Sequence, residues 1–227
     1  LDSYLRALRS GVSLSETEAF QLCDGFLTSD TLSNSFIADV LLALAEKGEV
    51  VDELVGFVRC MRSHMKAVKL KAPIIDVCGT GGALGGRFNV STTVAFLLAA
   101  MGVPVAKHGN NGSKRSNGSF DFLDELNVHY SASIDDIITQ FKSFQLVFLY
   151  AKWFHPAMKK VSMARRTLTS RTIFNYIGPL CNPASVSHQL IGTLTMERAQ
   201  LLAKTWARLG DARAYIVAGE GIDEISI

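Results

Sequence analysis

At Pro73 the hydrophobic pattern of the chain changes period, and that change limits the fold more than any single motif does. Before it, apolar residues recur at helical spacing in three sets: Ala19, Leu22, Cys23 and Phe26; Ile37, Val40, Leu41 and Leu44; Val51, Leu54, Val55 and Val58. Ser15 and Glu18 stand at capping-box spacing ahead of the first set, and Gly48 separates the other two. Three or four amphipathic helices on short turns must bury their apolar stripes against each other or against the rest of the chain. After Pro73, strand-like runs alternate with helical stretches: Ile74 to Val77, Val103 to Lys107, Leu146 to Tyr150, Gln189 to Leu194 and Ala212 to Ala218. That alternation predicts an α/β domain with a mostly parallel sheet, whose ligands bind at the carboxyl ends of the strands. The segment from His155 to about Tyr176 is basic and helical and interrupts the strand rhythm, so it is expected to pack back on the helices. The reading is a helical domain over residues 1–70, joined by 155–180, and an α/β domain over 71–227.

The first strand runs directly into DVCGTGGALGGRFNVST, from Asp76 to Thr92. Gly79, Gly81, Gly82, Gly85 and Gly86 put five glycines in eight residues, which lets backbone N–H groups converge on an anion. Asn89, Ser91 and Thr92 then stand where a helix begins, and its N-terminus offers a second anion site. Two common fingerprints fail here. Leu84 occupies the third glycine position of a dinucleotide loop, and Arg87-Phe88 replaces the Lys-hydroxyl pair of a nucleotide P-loop. A phosphorylated ligand other than NAD or ATP is expected.

A second polar loop succeeds the second strand, from Lys107 to Ser119, thirteen residues without one aliphatic side chain. Lys107 supplies a point charge for phosphate, Gly109 and Gly112 permit close backbone approach, and Ser119 is a candidate cap for the helix after it. Both loops are expected to face one crevice. Asp223 and Glu224 come after the last strand, and their hard oxygens suit Mg²⁺, with Ser91 as a candidate ligand from the other side. In the basic segment, His155 to Lys159 and the Arg165-Arg166 pair include an arginine able to grip a carboxylate in a bidentate fork. No Ser/His/Asp or Cys/His arrangement is visible.

A formal charge of +2 over 227 residues is too small to argue for nucleic acid or an anionic membrane surface, so anion binding is expected to be local. Cys23, Cys60, Cys78 and Cys181 show no C-x-x-C spacing, which reads as reduced, mostly buried thiols in a cytoplasmic protein rather than as zinc ligands. The longest apolar run, Val94 to Ala106, contains Gly102 and Pro104 and is too short to span a bilayer.

Together these segments resemble the anthranilate phosphoribosyltransferases, on GTGG at Gly79 to Gly82, NVST at Asn89 to Thr92, KHGN at Lys107 to Asn110 and HPAMK at His155 to Lys159. RTIFNYIGPLCNP from Arg171 to Pro183 and GIDEIS from Gly221 to Ser226 complete the set. The resemblance implies transfer of the phosphoribosyl group of 5-phosphoribosyl 1-diphosphate to anthranilate in tryptophan biosynthesis. It implies a small N-terminal helical domain on a larger α/β domain of the nucleoside phosphorylase/phosphoribosyltransferase fold, and a homodimer built through the helical part. The phosphoribosyl diphosphate would be held by Gly79, Gly82, Ala83, Arg87, Asn89, Val90, Ser91, Thr92, Lys107, Gly109, Asn110, Arg115 and Ser119. Anthranilate would lie near Gly79, Asn110, His155 and Arg165, with Arg165 on its carboxylate, and Mg²⁺ on Ser91, Asp223 and Glu224. No residue is assigned as general acid or base, since an aryl amine is neutral near pH 7 and needs positioning more than deprotonation.

Four positions depart from the family pattern: Ala83 in place of Asp, Arg87 in place of a small hydroxyl residue, Asn111 in place of Arg, and Ser116 in place of Lys. Lys114 and Arg115 are displaced by one or two places and are candidates to supply the missing charge. Family members also continue for roughly a hundred residues past GIDEIS, so the C-terminal part of the α/β domain is read as missing, with an open sheet edge and weak turnover as the expectation. The alternatives are a nucleoside phosphorylase of the same fold, or a binding homologue without donor chemistry.

Overall fold

In the computed structural model the described residues are 1–71, 73–81, 88–112, 117–210, 213–219 and 223. Their elements run α1 (Asp2–Arg9), α2 (Glu16–Thr28), α3 (Asn34–Lys47), α4 (Val51–Ser63), β1 (Ile75–Gly79), α5 (Val90–Ala100), β2 (Val105–Gly109), α6 (Ser119–Glu125), α7 (Ile134–Phe144) and β3 (Leu146–Tyr150). After these come α8 (Ala151–Phe154), α9 (Lys159–Arg165), β4 (His188–Gly192), α10 (Met196–Leu209) and β5 (Arg213–Val217). Contacts gather them into two compact units: Leu1–Met65, His155–Cys181 and Leu201–Leu209 in one, Lys66–Phe154, Asn182–Gln200 and Gly210–Ile227 in the other.

In the helical unit the start and stop signals act where the sequence puts them. Ser15 Oγ accepts from Glu18 N while the Glu18 carboxylate accepts from Ser15 N at 2.9 Å, so the capping box opens α2. Ser33 opens α3 by accepting from Phe36 N, and Gly48 closes it at a φ of +86°. Leu22, Phe26, Leu41, Leu44, Leu54 and Phe57 are fully buried between these helices. Phe57 meets Phe26 and Phe174 edge-on, with ring centroids 6.3 and 5.6 Å away. Phe174 belongs to the His155–Cys181 segment, so the basic insertion completes the core of this unit. No helix among the described residues is long and apolar enough to cross a membrane.

The other unit is built on a five-stranded sheet in the order β3-β2-β1-β4-β5, and every neighbouring pair is parallel. Its strands alternate between two buried faces, as a parallel sheet covered on both sides requires. Val147 and Leu149 of β3 and Ala106 of β2 point to one face, beneath Ile137 and Phe141 of α7. Phe148 and Val105 point to the other, against Ala95 of α5 and Phe120 and Leu123 of α6. β2 begins two residues later than the sequence suggests. Pro104 has no N–H to give the ladder, although its carbonyl accepts from Ile75 N at 2.9 Å. The register pairs Gly79 with Gly192 and Gly109 with Tyr150, so the carboxyl ends of β1, β4, β2 and β3 form one shelf.

Candidate functional site

At that shelf Lys107 is buried, 1% exposed, and donates to Val77 O at 2.5 Å and to Ser91 Oγ at 3.1 Å. An ammonium group is thereby held between the end of β1 and the first turn of α5. Asn89 is the N-cap of that helix, its Oδ1 accepting from Thr92 N at 3.3 Å, while Val90, Ser91 and Thr92 form the first turn. Thr92 is fully buried, and among the described residues its hydroxyl finds no hydrogen-bond partner. A buried hydroxyl without a partner at a helix N-terminus is costly unless a ligand completes it.

Beneath this cation lies Asp76, also fully buried, which accepts from Asn182 Nδ2 at 2.9 Å, Gln189 Nε2 at 3.0 Å and His108 N at 3.3 Å. Burial raises the Asp76 pKa, against the opposing pull of Lys107 and the three hydrogen bonds. Sequence reasoning missed Asp76, Asn182 and Gln189 as parts of the site. The available signal was a carboxylate inside the otherwise apolar strand Ile74-Ile75-Asp76-Val77. At the same strand end, burial, with Asp76 next, pushes the Cys78 thiol well above its ordinary value, which favours the protonated form.

Asp223 comes down on the β1 and β4 ends. A Cβ on Gly192 would lie 1.8 Å from Asp223 O, so only glycine allows this approach, and the Asp223 carboxylate stands 3.2 Å from the corresponding point at Gly79. Asp223 and Ser91 line one cleft with Cys78, Gly192 and Val217. A carboxylate and a hydroxyl sharing a cleft beside a phosphate-type site are the hard oxygen set that Mg²⁺ takes, so these residues fit that ion. Glu224, the other expected ligand, lies outside the described residues.

The second loop is pinned by a residue the sequence reading did not single out, Asp121. Its carboxylate accepts from Gly112 N at 2.7 Å, Gly118 N at 2.8 Å and Asn111 Nδ2 at 2.8 Å. Burial alone would raise its pKa, but these donors and Lys152 outweigh it and hold the carboxyl below its ordinary value. Asn111 also accepts from Tyr150 Oη, and from Lys152 Nζ at 3.2 Å, so the residue that departs from the family pattern ties the loop together. The expectation that Ser119 caps the next helix is corrected. Ser119 is the first helical residue and Gly118 the N-cap, because a Cβ at 118 would lie 2.3 Å from Gly112 N. Ser119 packs instead on Gly109, and Asn110 O accepts from Phe120 N.

Of the residues expected near anthranilate, Gly79 and Asn110 belong to the α/β unit, and His155 and Arg165 to the helical unit. His155 is buried with Nε2 3.0 Å from Cys181 O, and since a carbonyl only accepts, the proton sits on Nε2. Burial drives its pKa down to about 4, so it is a neutral, fixed imidazole at pH 7 and not a proton shuttle. Arg165 on α9 is half-buried with its guanidinium 5.9 Å from the Phe174 ring centroid, and burial lowers its pKa. Gly82, Ala83, Arg87 and Arg115, expected at the donor, lie outside the described residues, as do Lys114 and Ser116.

Comparison with known proteins accounts for this arrangement. Residues 71–227 match the glycosyl transferase family, a/b domain, and residues 2–65 the glycosyl transferase family, helical bundle domain. The class is thus a glycosyl transferase with a helical bundle ahead of its α/β part. The chain is 42% identical over 221 residues to the anthranilate phosphoribosyltransferase of Rhodopirellula baltica, covering 96% of this chain and 64% of that one. It is 40% identical to that of Geobacillus thermodenitrificans, covering 100% of this chain and 67% of the relative. Among solved structures, the enzyme from Thermus thermophilus superposes with a TM-score of 0.90 at 35% identity, over 98% of this chain and 67% of that one. The Saccharomyces cerevisiae enzyme in complex with PRPP and Mg gives 0.89 at 29%, over 99% and 67%. The chain belongs to the anthranilate phosphoribosyltransferase family. It spans about two thirds of the length of the curated relatives it matches.

Proposed function

We propose that this chain transfers the phosphoribosyl group of 5-phosphoribosyl 1-diphosphate to the amine of anthranilate, releasing diphosphate, as a step of tryptophan biosynthesis. The observation that carries the reading is the convergence, at the carboxyl end of the sheet, of buried Lys107, the α5 N-terminus with a Thr92 hydroxyl that finds no partner among the described residues, and Asp223 over Gly79 and Gly192. That is a set of positive and hydrogen-bonding groups for a diphosphate, with carboxylate oxygen beside it. The yeast relative was solved with PRPP and Mg, and at 29% identity over nearly the whole of this chain the likeness supports the same donor.

The difficult event is departure of diphosphate from the ribose anomeric carbon, which leaves oxocarbenium character on the sugar and new negative charge on the leaving group. Mg²⁺, held by Ser91 and Asp223 with Glu224 adjacent in sequence, supplies charge neutralisation for that leaving group when bound. Lys107 and the N–H groups at the start of α5 act on the same charge from a buried, preorganised position. As the family resemblance implies, Gly79, Asn110, His155 and Arg165 orient anthranilate, Arg165 on its carboxylate. The amine then attacks from a held position and no general base is needed. The assembly is a homodimer built through the helical domain, in the cytoplasm, and the domains are 1–70 with 155–180 and 71–227.

Calorimetric titration with the donor tests the reading. Binding is expected to strengthen with Mg²⁺ and to weaken in Lys107→Met, and in the parent chain anthranilate fluorescence is expected to fall with diphosphate released in equal amount. Donor binding indifferent to both Mg²⁺ and Lys107 would overturn it, as would release of a free base with uptake of orthophosphate.

A further inference from the structure

The helical unit brings together a second set of chemically capable groups that the transferase reading leaves unused. Cys60 lies on the last turn of α4 and His64 is the C-cap residue of that helix, four positions on, so both project from one face. Asp24 faces them from α2, with its Oδ1 2.7 Å from His64 Nε2. One ligand atom from each residue, a thiol sulfur, an imidazole nitrogen and a carboxylate oxygen, lies within 4.8 Å of the other two. Cys60 is fully buried, whereas the His64 and Asp24 side chains are 30% and 43% exposed, which leaves the cluster open to an ion on one side.

We propose that Asp24, Cys60 and His64 form a zinc site that clamps the end of α4 to α2, with water as the fourth ligand. Thiolate, imidazole and carboxylate are the three donor types that Zn²⁺ accepts, and a mixed set of this kind disfavours Mg²⁺ or Ca²⁺. Tetrahedral bonds of about 2.0–2.3 Å place ligand atoms roughly 3.2–3.7 Å apart. The 2.7 Å contact must therefore open and the widest gap close by about 1 Å, which side-chain rotation supplies. The ion takes the place of the hydrogen between His64 Nε2 and Asp24, leaving His64 neutral with its one proton on Nδ1, and Cys60 gives up its thiol proton to solvent. Spacing rules miss this set because two ligands come from one helix end and the third lies 36 positions before the nearer of them.

Cobalt substitution tests the proposal on the full chain, reduced and stripped of metal. One equivalent of Co²⁺ is expected to give strong d–d bands and a thiolate-to-cobalt charge-transfer band, both bleached by one equivalent of Zn²⁺, and Zn²⁺ alone is expected to raise Tm. Ser91 and Asp223 offer only oxygen, and Cys78 lines their cleft, so a Cys78→Ser variant separates the two metal sites. The band should vanish in Cys60→Ser, persist in Cys78→Ser, and need more than ~10-fold more Co²⁺ in His64→Ala and in Asp24→Ala. Because Cys60 is buried, His64→Ala, at a half-exposed helix end, is the decisive variant if Cys60→Ser does not fold. Absence of the band in the parent chain, its persistence at unchanged affinity in His64→Ala, or its loss in Cys78→Ser would overturn the proposal.

Discussion

Two lysine side chains are buried among the described residues, and the molecule treats them differently. Lys47, with its side chain 6% exposed, meets the fully buried Glu53 carboxylate at 3.0 Å and also donates to Gly48 O and Ser13 Oγ. Glu53 accepts from Leu14 N and Val50 N as well, so the ion pair stitches the α3–α4 turn to the segment before α2 and closes on itself. Lys107, 1% exposed, donates to Val77 O and Ser91 Oγ and also acts on the nearby Asp76 carboxylate, which takes three donors of its own. A buried charge closed by its counter-ion is a staple. A buried charge at a strand end, beside the first turn of a helix, is placed where an anion can also meet it.

The sharpest way to break this comparison is to delete the acid of the closed pair. Glu53→Ala leaves an uncompensated buried ammonium and two backbone N–H groups without their acceptor, so a loss of about 3–5 kcal/mol, measured by denaturant unfolding, is expected. Donor affinity of the folded fraction should not change. If it fell along with stability, the two lysines would not be separable in role.

His155, also in the helical unit, is buried without charge. Its folded pKa, about 4, lies below the ordinary 6.5, so neutral His155 contributes stability that is present above pH 6.5 and lost as pH falls from there to about 4. At ~1.4 kcal/mol per unit the change is about 3 kcal/mol. His155→Gln, which titrates nothing, should flatten the decline between pH 6.5 and 4 measured by urea unfolding. An undiminished slope would place the proton uptake elsewhere.

The sequence shows the staple and the site unequally. Five strands, the Ser15 cap and the Gly48 stop are legible from local periodicity and turn chemistry, which act over a few residues and so leave a local trace. Lys107 and Ser91 are likewise visible because glycine and hydroxyl clusters surround them. Asp76, Asn182 and Gln189 are not, since their association spans 106 and 113 positions and exists only once β4 lies beside β1. Asp121 reads locally as an ordinary helix-start acid. Its role at Gly112 depends on the loop returning over Gly118, which no periodicity encodes.

Lys107→Met tests the other half of the comparison. Charge-assisted hydrogen bonds are worth roughly 1.5–3 kcal/mol, so donor affinity should fall by about 10- to 150-fold. Stability should fall less, and in a pH-dependent way. The Asp76 pKa is already raised by burial, so its protonated form favours the fold, and that contribution disappears as pH rises through the raised value. Without the cation the disappearance deepens, and thermal unfolding of Lys107→Met should lag the parent more at pH 8 than at pH 5. An equal deficit at both would mean that Lys107 does not act on Asp76.

The smallest effect is expected at Asp121, and it separates loop order from charge. Asp121→Asn keeps the shape but turns an N–H₂ toward one of the donors Gly112 N, Gly118 N or Asn111, so the loss of a cap, about 1 kcal/mol, is expected. The parent carboxyl has a lowered pKa, so its stabilisation is present above the ordinary carboxylate range and fades as pH falls through the lowered value. The gap between parent and variant should therefore shrink in acid. If the pinned loop presents Asn110 and Gly109 to the donor, affinity should also weaken by a few-fold at pH 7, since ordering the loop then costs binding energy. A variant less stable by that margin but with unchanged donor affinity would show that the loop is fixed for the fold alone, leaving Lys107 and the start of α5 as the groups that set donor binding.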